Sequence, residues 1–92
     1  MLIYAEDIFK GLYPMLTVTF IDGLRLEGET YDDIVNQLYN SSFSEEDTVE
    51  EFMQGVGRRA QIQTGQAINF TDCESFIKEL KRVNIVTEIL EH

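Results

Sequence analysis

The stretch MLTVTFIDGLRLEGE, residues 15–29, decides the architecture. Leu16, Val18 and Phe20 alternate with Thr17 and Thr19, the two-residue period of a strand with one buried face. Pro14 stands just before it, where its missing N–H interrupts no ladder. Asp22-Gly23 then marks a reversal, and Leu24 to Glu29 returns as a second strand. Side-chain parity chooses the loop. A two-residue turn would pair Ile21 with Leu24 and put Val18 and Phe20 on the same face as Arg25 and Glu27. A three-residue loop, Ile21-Asp22-Gly23, pairs Phe20 with Leu24 and Val18 with Leu26. Leu16, Val18, Phe20, Leu24 and Leu26 then share one face, and Arg25 and Glu27 go to water. A slip of one residue inverts every side chain, so the second register is expected. It needs Gly23 in the left-handed region, which glycine enters at little cost.

Downstream, three helix starts carry one device, a hydroxyl followed three residues later by an acid: Thr30-x-x-Asp33, Ser44-x-x-Asp47 and Thr71-x-x-Glu74. The first helix is expected over about 31–40, with Tyr31, Ile34, Val35 and Leu38 on one face. The second runs from about 45 towards 62, with Val49, Phe52, Met53, Val56 and Ala60 at helical spacing. The third covers about 72–83 and carries Cys73, Phe76, Ile77 and Leu80. Gly65 ends the second helix and Asn84 the third. Ala67-Ile68-Asn69-Phe70 reads as a third strand and Ile85 to Ile89 as a fourth. The fold class is therefore α+β: a β-hairpin, two helices, then β-α-β, in a small mixed sheet with helices packed mainly on one face. A right-handed crossover follows if the last two strands share the sheet. Met1 to Tyr13 is ambiguous: Leu2-Ile3-Tyr4 suits an edge strand, and Ile8, Phe9 and Leu12 suit a short helix.

Residues 1–89 read as a single domain. Leu90-Glu91-His92 reads as an expression-tag remnant and is set aside from the fold. A domain this small has little room for a buried active site. The formal net charge is −10 and unevenly spread. Residues 1–55 hold twelve acids against Lys10 and Arg25, whereas residues 56–92 hold five acids and five bases. Nucleic-acid and anionic-membrane binding need a basic surface, so neither is expected. A basic protein partner is permitted. The start of the chain lacks the basic and apolar regions of a signal peptide, and no apolar run is long enough for a membrane span. With one cysteine there is no internal disulfide. The expected setting is the cytoplasm.

Histidine occurs only at position 92, which removes the usual general acid–base, most zinc sites and most nucleophile triads. Cys73 lies in a first helical turn, where a thiol can be activated, but it shares its stripe with Phe76, Ile77 and Leu80 and is expected to be buried and chemically quiet. Asp32 and Asp33, and Glu45, Glu46, Asp47, Glu50 and Glu51, crowd helix starts, where the macrodipole favours acids. No calcium-binding loop pattern is present. Gln54-Gly55-Val56-Gly57-Arg58-Arg59 resembles a phosphate loop only superficially, lacking the third glycine, the lysine and the preceding strand. Gly57 falls on the Met53–Ala60 side, where it would let the helix approach the sheet.

No catalytic residue, cofactor or metal site is expected. The functional expectation is a small acidic, non-catalytic protein-interaction or accessory module. Glu45, Glu46, Glu50, Arg58 and Arg59 are the candidate partner contacts. Its partner is a protein, a second copy of the chain being one candidate: Tyr4, Phe9 and Tyr13 or a sheet edge would form the homodimer contact. Two alternatives stand beside this. One is an acidic antagonist imitating nucleic-acid phosphate charge. The other is a small-ligand protein or minor enzyme using carboxylates, Cys73 or the arginine pair.

Overall fold

The computed structural model describes residues 16–42 and 45–91. Strands β1 (Leu16–Phe20) and β2 (Arg25–Gly28) are followed by helices α1 (Tyr31–Ser41), α2 (Val49–Thr64) and α3 (Cys73–Arg82) and by strand β3 (Val86–Glu91). The α+β class stands, with helices packed on a sheet of order β2-β1-β3. The expected aromatic contact at Tyr4, Phe9 and Tyr13, Ser44 and His92 lie outside the described residues.

The hairpin has the register that parity requires. Val18 faces Leu26 and Thr19 faces Arg25. The Phe20 N–H donates to the Leu24 carbonyl at 2.7 Å, and the Gly23 N–H to the Phe20 carbonyl at 2.9 Å. Gly23 has φ +95°. The Asp22 carboxylate accepts the Leu24 N–H at 3.0 Å, stapling the loop from within. Leu16, Val18, Phe20 and Leu26 are buried, and Arg25 and Glu27 are exposed, as expected. Leu24 is the exception: at the loop end of the hairpin it is 36 % exposed.

β3 runs antiparallel to β1, so the sheet is antiparallel rather than mixed, and no β-α-β unit forms. Residues 67–70 keep the alternation of a strand, with Ile68 and Phe70 half-buried and Ala67 and Asn69 exposed. Their backbone is satisfied by α3 side chains instead of a neighbouring strand. The Arg82 guanidinium donates to the Ala67 carbonyl at 2.8 Å, and the Asn69 N–H donates to the Glu79 carboxylate at 3.2 Å. Burial period alone does not distinguish a paired strand from an extended segment tied down in this way.

β3 also continues through Leu90 and Glu91, which pair with Thr17 and Leu16. Leu90 and Glu91 thus belong to the sheet, whatever their origin. A bulge in β3 shifts the register between Thr19, opposite Glu88, and Phe20, opposite Val86. Thr87 is the extra residue, and its hydroxyl donates to the Thr19 carbonyl at 3.2 Å. The bulge lets Val86 and Ile89 both reach the core although their spacing is odd.

The core joins Leu16, Val18, Phe20, Leu26 and Val86 of the sheet to Ile34 and Val35 of α1 and Phe76, Ile77 and Leu80 of α3. Each fully buried side chain of this size stabilises by ~1.5–3 kcal/mol. α3 packs on β3 and α1, and α1 on β2. α2 is the outer helix: it adds Met53 and Ala60 to the core and rests against α1, with Phe52 tilted against Tyr39 at 5.3 Å.

The caps refine the helix starts. Thr30 accepts the Asp33 N–H as expected. α2 begins at Val49, capped by Thr48, which accepts the Glu51 N–H at 3.1 Å. Thr48-x-x-Glu51 uses a true glutamate, the stronger form of the motif. The turn before it is held by the Tyr39 hydroxyl, which donates to the Glu46 carbonyl at 2.7 Å. α3 is capped by Asp72 rather than Thr71, in a reciprocal box with Ser75. Gly65 (φ +76°) and Asn84 (φ +67°) end α2 and α3 as expected. Gly57 is buried, but a Cβ there would meet Ile68 and Phe70 at 3.6 Å. The small residue thus faces the extended segment, not the sheet.

Candidate functional site

Two clefts stand out on the described surface. The first, about 490 Å³, opens where the N-termini of α1 and α3 meet the end of the sheet. Five carboxylates line it: Glu29 before α1, Asp32 in its first turn, Asp72 and Glu74 at the start of α3, and Glu91 on β3. The local rule that places acids at helix starts acts twice here, and tertiary packing brings the two starts together. Glu91 faces Leu16 across the sheet and accepts the Tyr31 hydroxyl at 2.7 Å. Tyr31 is pushed well above its usual range by burial and by that carboxylate. Asp72 is held below the usual carboxylate range because it accepts the Ser75 backbone N–H, so it is ionised at neutral pH.

Beside the cleft Lys78 pairs with Glu74 at 2.6 Å and lies 5.9 Å from the Tyr31 ring centroid. Its pKa is raised by Glu74. Among the described residues one ammonium stands beside five carboxylates, an excess of negative charge. Among the described residues no group of three or more His, Cys, Asp or Glu could hold a metal ion.

The second cleft, about 400 Å³, runs along the exposed side of α2. Glu46, Glu51, Gln54, Gly55, Arg58, Arg59 and Ile62 line it. Glu51, Gly55, Arg58 and Ile62 follow the i, i+4, i+7, i+11 spacing of one helical stripe. A Cβ on Gly55 would stand 2.9 Å from the Glu46 carboxylate, which lies over that gap. Arg58 and Arg59 are exposed and form no ion pair among the described residues. Ile62 is 80 % exposed.

Of the expected partner contacts, Glu46, Arg58 and Arg59 come together in this second cleft, while Glu45 and Glu50 are exposed and line neither cleft. Glu29, Asp72, Glu74 and Glu91 were not expected to act together. The available signal was that acids stood at two helix starts, but only packing reveals that these starts adjoin. Ile62 was missed because a lone apolar residue off the buried stripe is ordinary in sequence.

Cys73 is half-buried rather than buried. Its thiol lies 4.0 Å from the Met53 sulfur. Burial, with Asp32 beside it, pushes the thiol up to about 12, so it is protonated at neutral pH and lacks the thiolate a nucleophile needs. No helix among the described residues is long and apolar enough to cross a membrane. Comparison with protein-family models, with curated proteins and with solved structures finds no match to this chain.

Proposed function

We propose that the protein is a small acidic, non-catalytic interaction module that docks a basic surface of a partner protein in the carboxylate cleft. The observation that carries this reading is the convergence of five carboxylates, from the ends of α1, α3 and β3, on one open cleft. Acids scattered for solubility would not need to share a concavity. A nucleic-acid mimic would need its carboxylates in a band at phosphate spacing, so the concave grouping favours a protein partner. The high thiol pKa of Cys73 supports a binding role over nucleophilic chemistry. A free thiol also fits the cytoplasmic setting that belongs to this proposal.

The test is calorimetric titration with a short Lys/Arg-rich peptide. Binding should weaken as salt rises, because attraction at the cleft mouth is screened beyond ~8 Å at physiological ionic strength. Reversing Glu29 and Asp32 together (Glu29→Lys/Asp32→Lys) should lower affinity by about tenfold or more. A variant that binds as the wild type does would move the interaction elsewhere.

A further inference from the structure

The two edges of the sheet are finished differently. The Phe20 N–H bonds to the Leu24 carbonyl across the hairpin, so by alternation Leu16, Val18 and Phe20 bond to β2, while Thr17 and Thr19 bond to β3. On β2, Arg25 and Glu27 therefore turn their backbone groups outward, and α1 closes that edge. The Gln37 side-chain amide donates to the Glu27 carbonyl at 2.7 Å, and the Glu29 N–H donates to the Asp33 carboxylate at 3.1 Å. On β3, Glu88 and Leu90 bond to β1, which leaves the backbone N–H and C=O of Ile89 and Glu91 facing outward. Among the described residues no hydrogen bond reaches these backbone groups. We infer that an extended basic segment of the partner protein adds to this edge as a fourth strand, antiparallel to β3. This rests on the carboxylate-cleft reading and names the form its partner takes, because Glu91 belongs to both the cleft and the edge.

Charge selects the occupant. Glu88 is exposed on the face away from the helices, and Glu91, opposite Leu16, lies on the helix face. Of the bases on α3, which packs on β3, Lys78 is paired with Glu74 and Arg82 with Glu79. Lys81 stands in the last turn of α3, towards the Val86 end of β3 and away from Glu91. Arg25 is two strands away, on β2. A second copy of the chain suits this edge poorly. With Ile89 opposite itself, Glu88 stands diagonal to its own image; with Ile89 opposite Glu91, the two Glu91 side chains do so. A basic strand replaces these repulsions with attraction. Read antiparallel to β3, it needs a cation opposite Glu91, an apolar residue opposite the half-buried Ile89 and a cation opposite Glu88. The matching pattern is Lys-x-Ile-Lys or its arginine equivalent.

The experiment is calorimetric titration of the whole chain with a short peptide carrying Lys-Thr-Ile-Lys and with two N-methylated forms that keep its charge. N-methyl groups on the first lysine and the isoleucine block the N–H groups that face β3, and affinity should fall by about tenfold or more with two backbone bonds lost. N-methyl groups on the threonine and the second lysine face away from β3, and that peptide should bind like the parent. In the complex the Ile89 and Glu91 amides should exchange with solvent more slowly, while those of Glu88 and Leu90 keep the protection that β1 gives them. Glu88→Lys, at an exposed position outside the cleft lining, should weaken the parent peptide, and replacing the peptide's second lysine with glutamate should restore binding. Equal affinity of the two methylated peptides would overturn the inference, as would unchanged exchange at Ile89 and Glu91. Equal binding of all three peptides that is lost in Glu29→Lys/Asp32→Lys would overturn strand addition and leave the carboxylate cleft standing. Failure of the wild type to bind the parent peptide would remove both readings.

Discussion

The carboxylate cleft and the α2 cleft are similar in volume, about 490 and about 400 Å³, yet they are built in opposite ways. The first draws one sign of charge from segments far apart in the chain: the Tyr31 hydroxyl that donates to Glu91 bridges 60 positions. The second draws both signs from one helix and the turn before it. A cleft assembled from two helix starts inherits a net charge from the dipole rule, because each start independently favours acids. A cleft laid along one helix surface takes its charges from neighbouring turns instead, and here both signs occur. Under the proposed function, the first arrangement selects a partner by sign. Stability should depend on them differently as well, since α3 anchors the first cleft in the core, whereas the second lies on the water-facing side of α2.

Removing the core beneath α3 should have the largest effect. Phe76 is fully buried and meets Phe70 edge-on at 5.1 Å. Phe76→Ala should destabilise by ~3–5 kcal/mol in urea denaturation, whereas Ile62→Ala should stay within ~0.5 kcal/mol. Equal losses would erase the distinction between a cleft anchored in the core and one on the surface. A smaller loss is expected at the α1 cap, which forms one wall of the carboxylate cleft. Thr30→Ala should cost ~1 kcal/mol, because the Asp33 N–H loses its acceptor. Gly23→Ala should also destabilise by ~1–2 kcal/mol, since φ +95° is unfavourable for any residue with a Cβ. A neutral result in either case would contradict the local geometry.

Acid provides a graded test of α3. Asp72 is held below its ordinary pKa by the Ser75 backbone N–H, and Glu79 chiefly by Arg82. Each therefore adds stability that is present above the ordinary carboxylate value near ~4 and is lost as pH falls through the lowered folded-state value. The urea midpoint should fall across that acid range, and less steeply in Asp72→Asn. An equally steep fall in the variant would remove Asp72 from the explanation. The thiol works in the other direction: with Cys73 pushed up to about 12, labelling at neutral pH should be slow in the native state and fast on unfolding. The smallest effect belongs to Gly57→Ala. Its Cβ would meet Ile68 at an ordinary 3.6 Å, so the helix-propensity gain of up to ~1 kcal/mol should leave the variant neutral or slightly more stable.

The hairpin was legible because parity is a strict constraint: one register alone gathers the apolar residues, and Val18 does face Leu26. The amphipathic stripes were legible for the same reason, with Ile34, Val35, Phe76, Ile77 and Leu80 all buried. Residues 67–70 were misread because burial alternates there as in a strand, while the backbone partners are Arg82 and Glu79. Leu90-Glu91-His92 reads as a tag remnant, yet Leu90 and Glu91 pair with β1. Of the candidate contacts, Glu46 reads in sequence with the acids of a helix start and Arg58-Arg59 as a separate pair, and the fold places the three in one cleft. The carboxylate cleft was not, because the nearness of the α1 and α3 starts is a tertiary fact that no spacing along the chain encodes.

The central claim is that the carboxylate cleft, and not the acidity of the chain as a whole, receives a basic partner. Two-dimensional NMR of isotope-labelled protein, titrated with a short Lys/Arg-rich peptide, tests it most directly. The expected result is that amide shifts concentrate at residues 29–33, 72–75 and 91, while those of 54–62 stay still. Shifts spread evenly over every acidic segment, or centred on the α2 cleft, would contradict it.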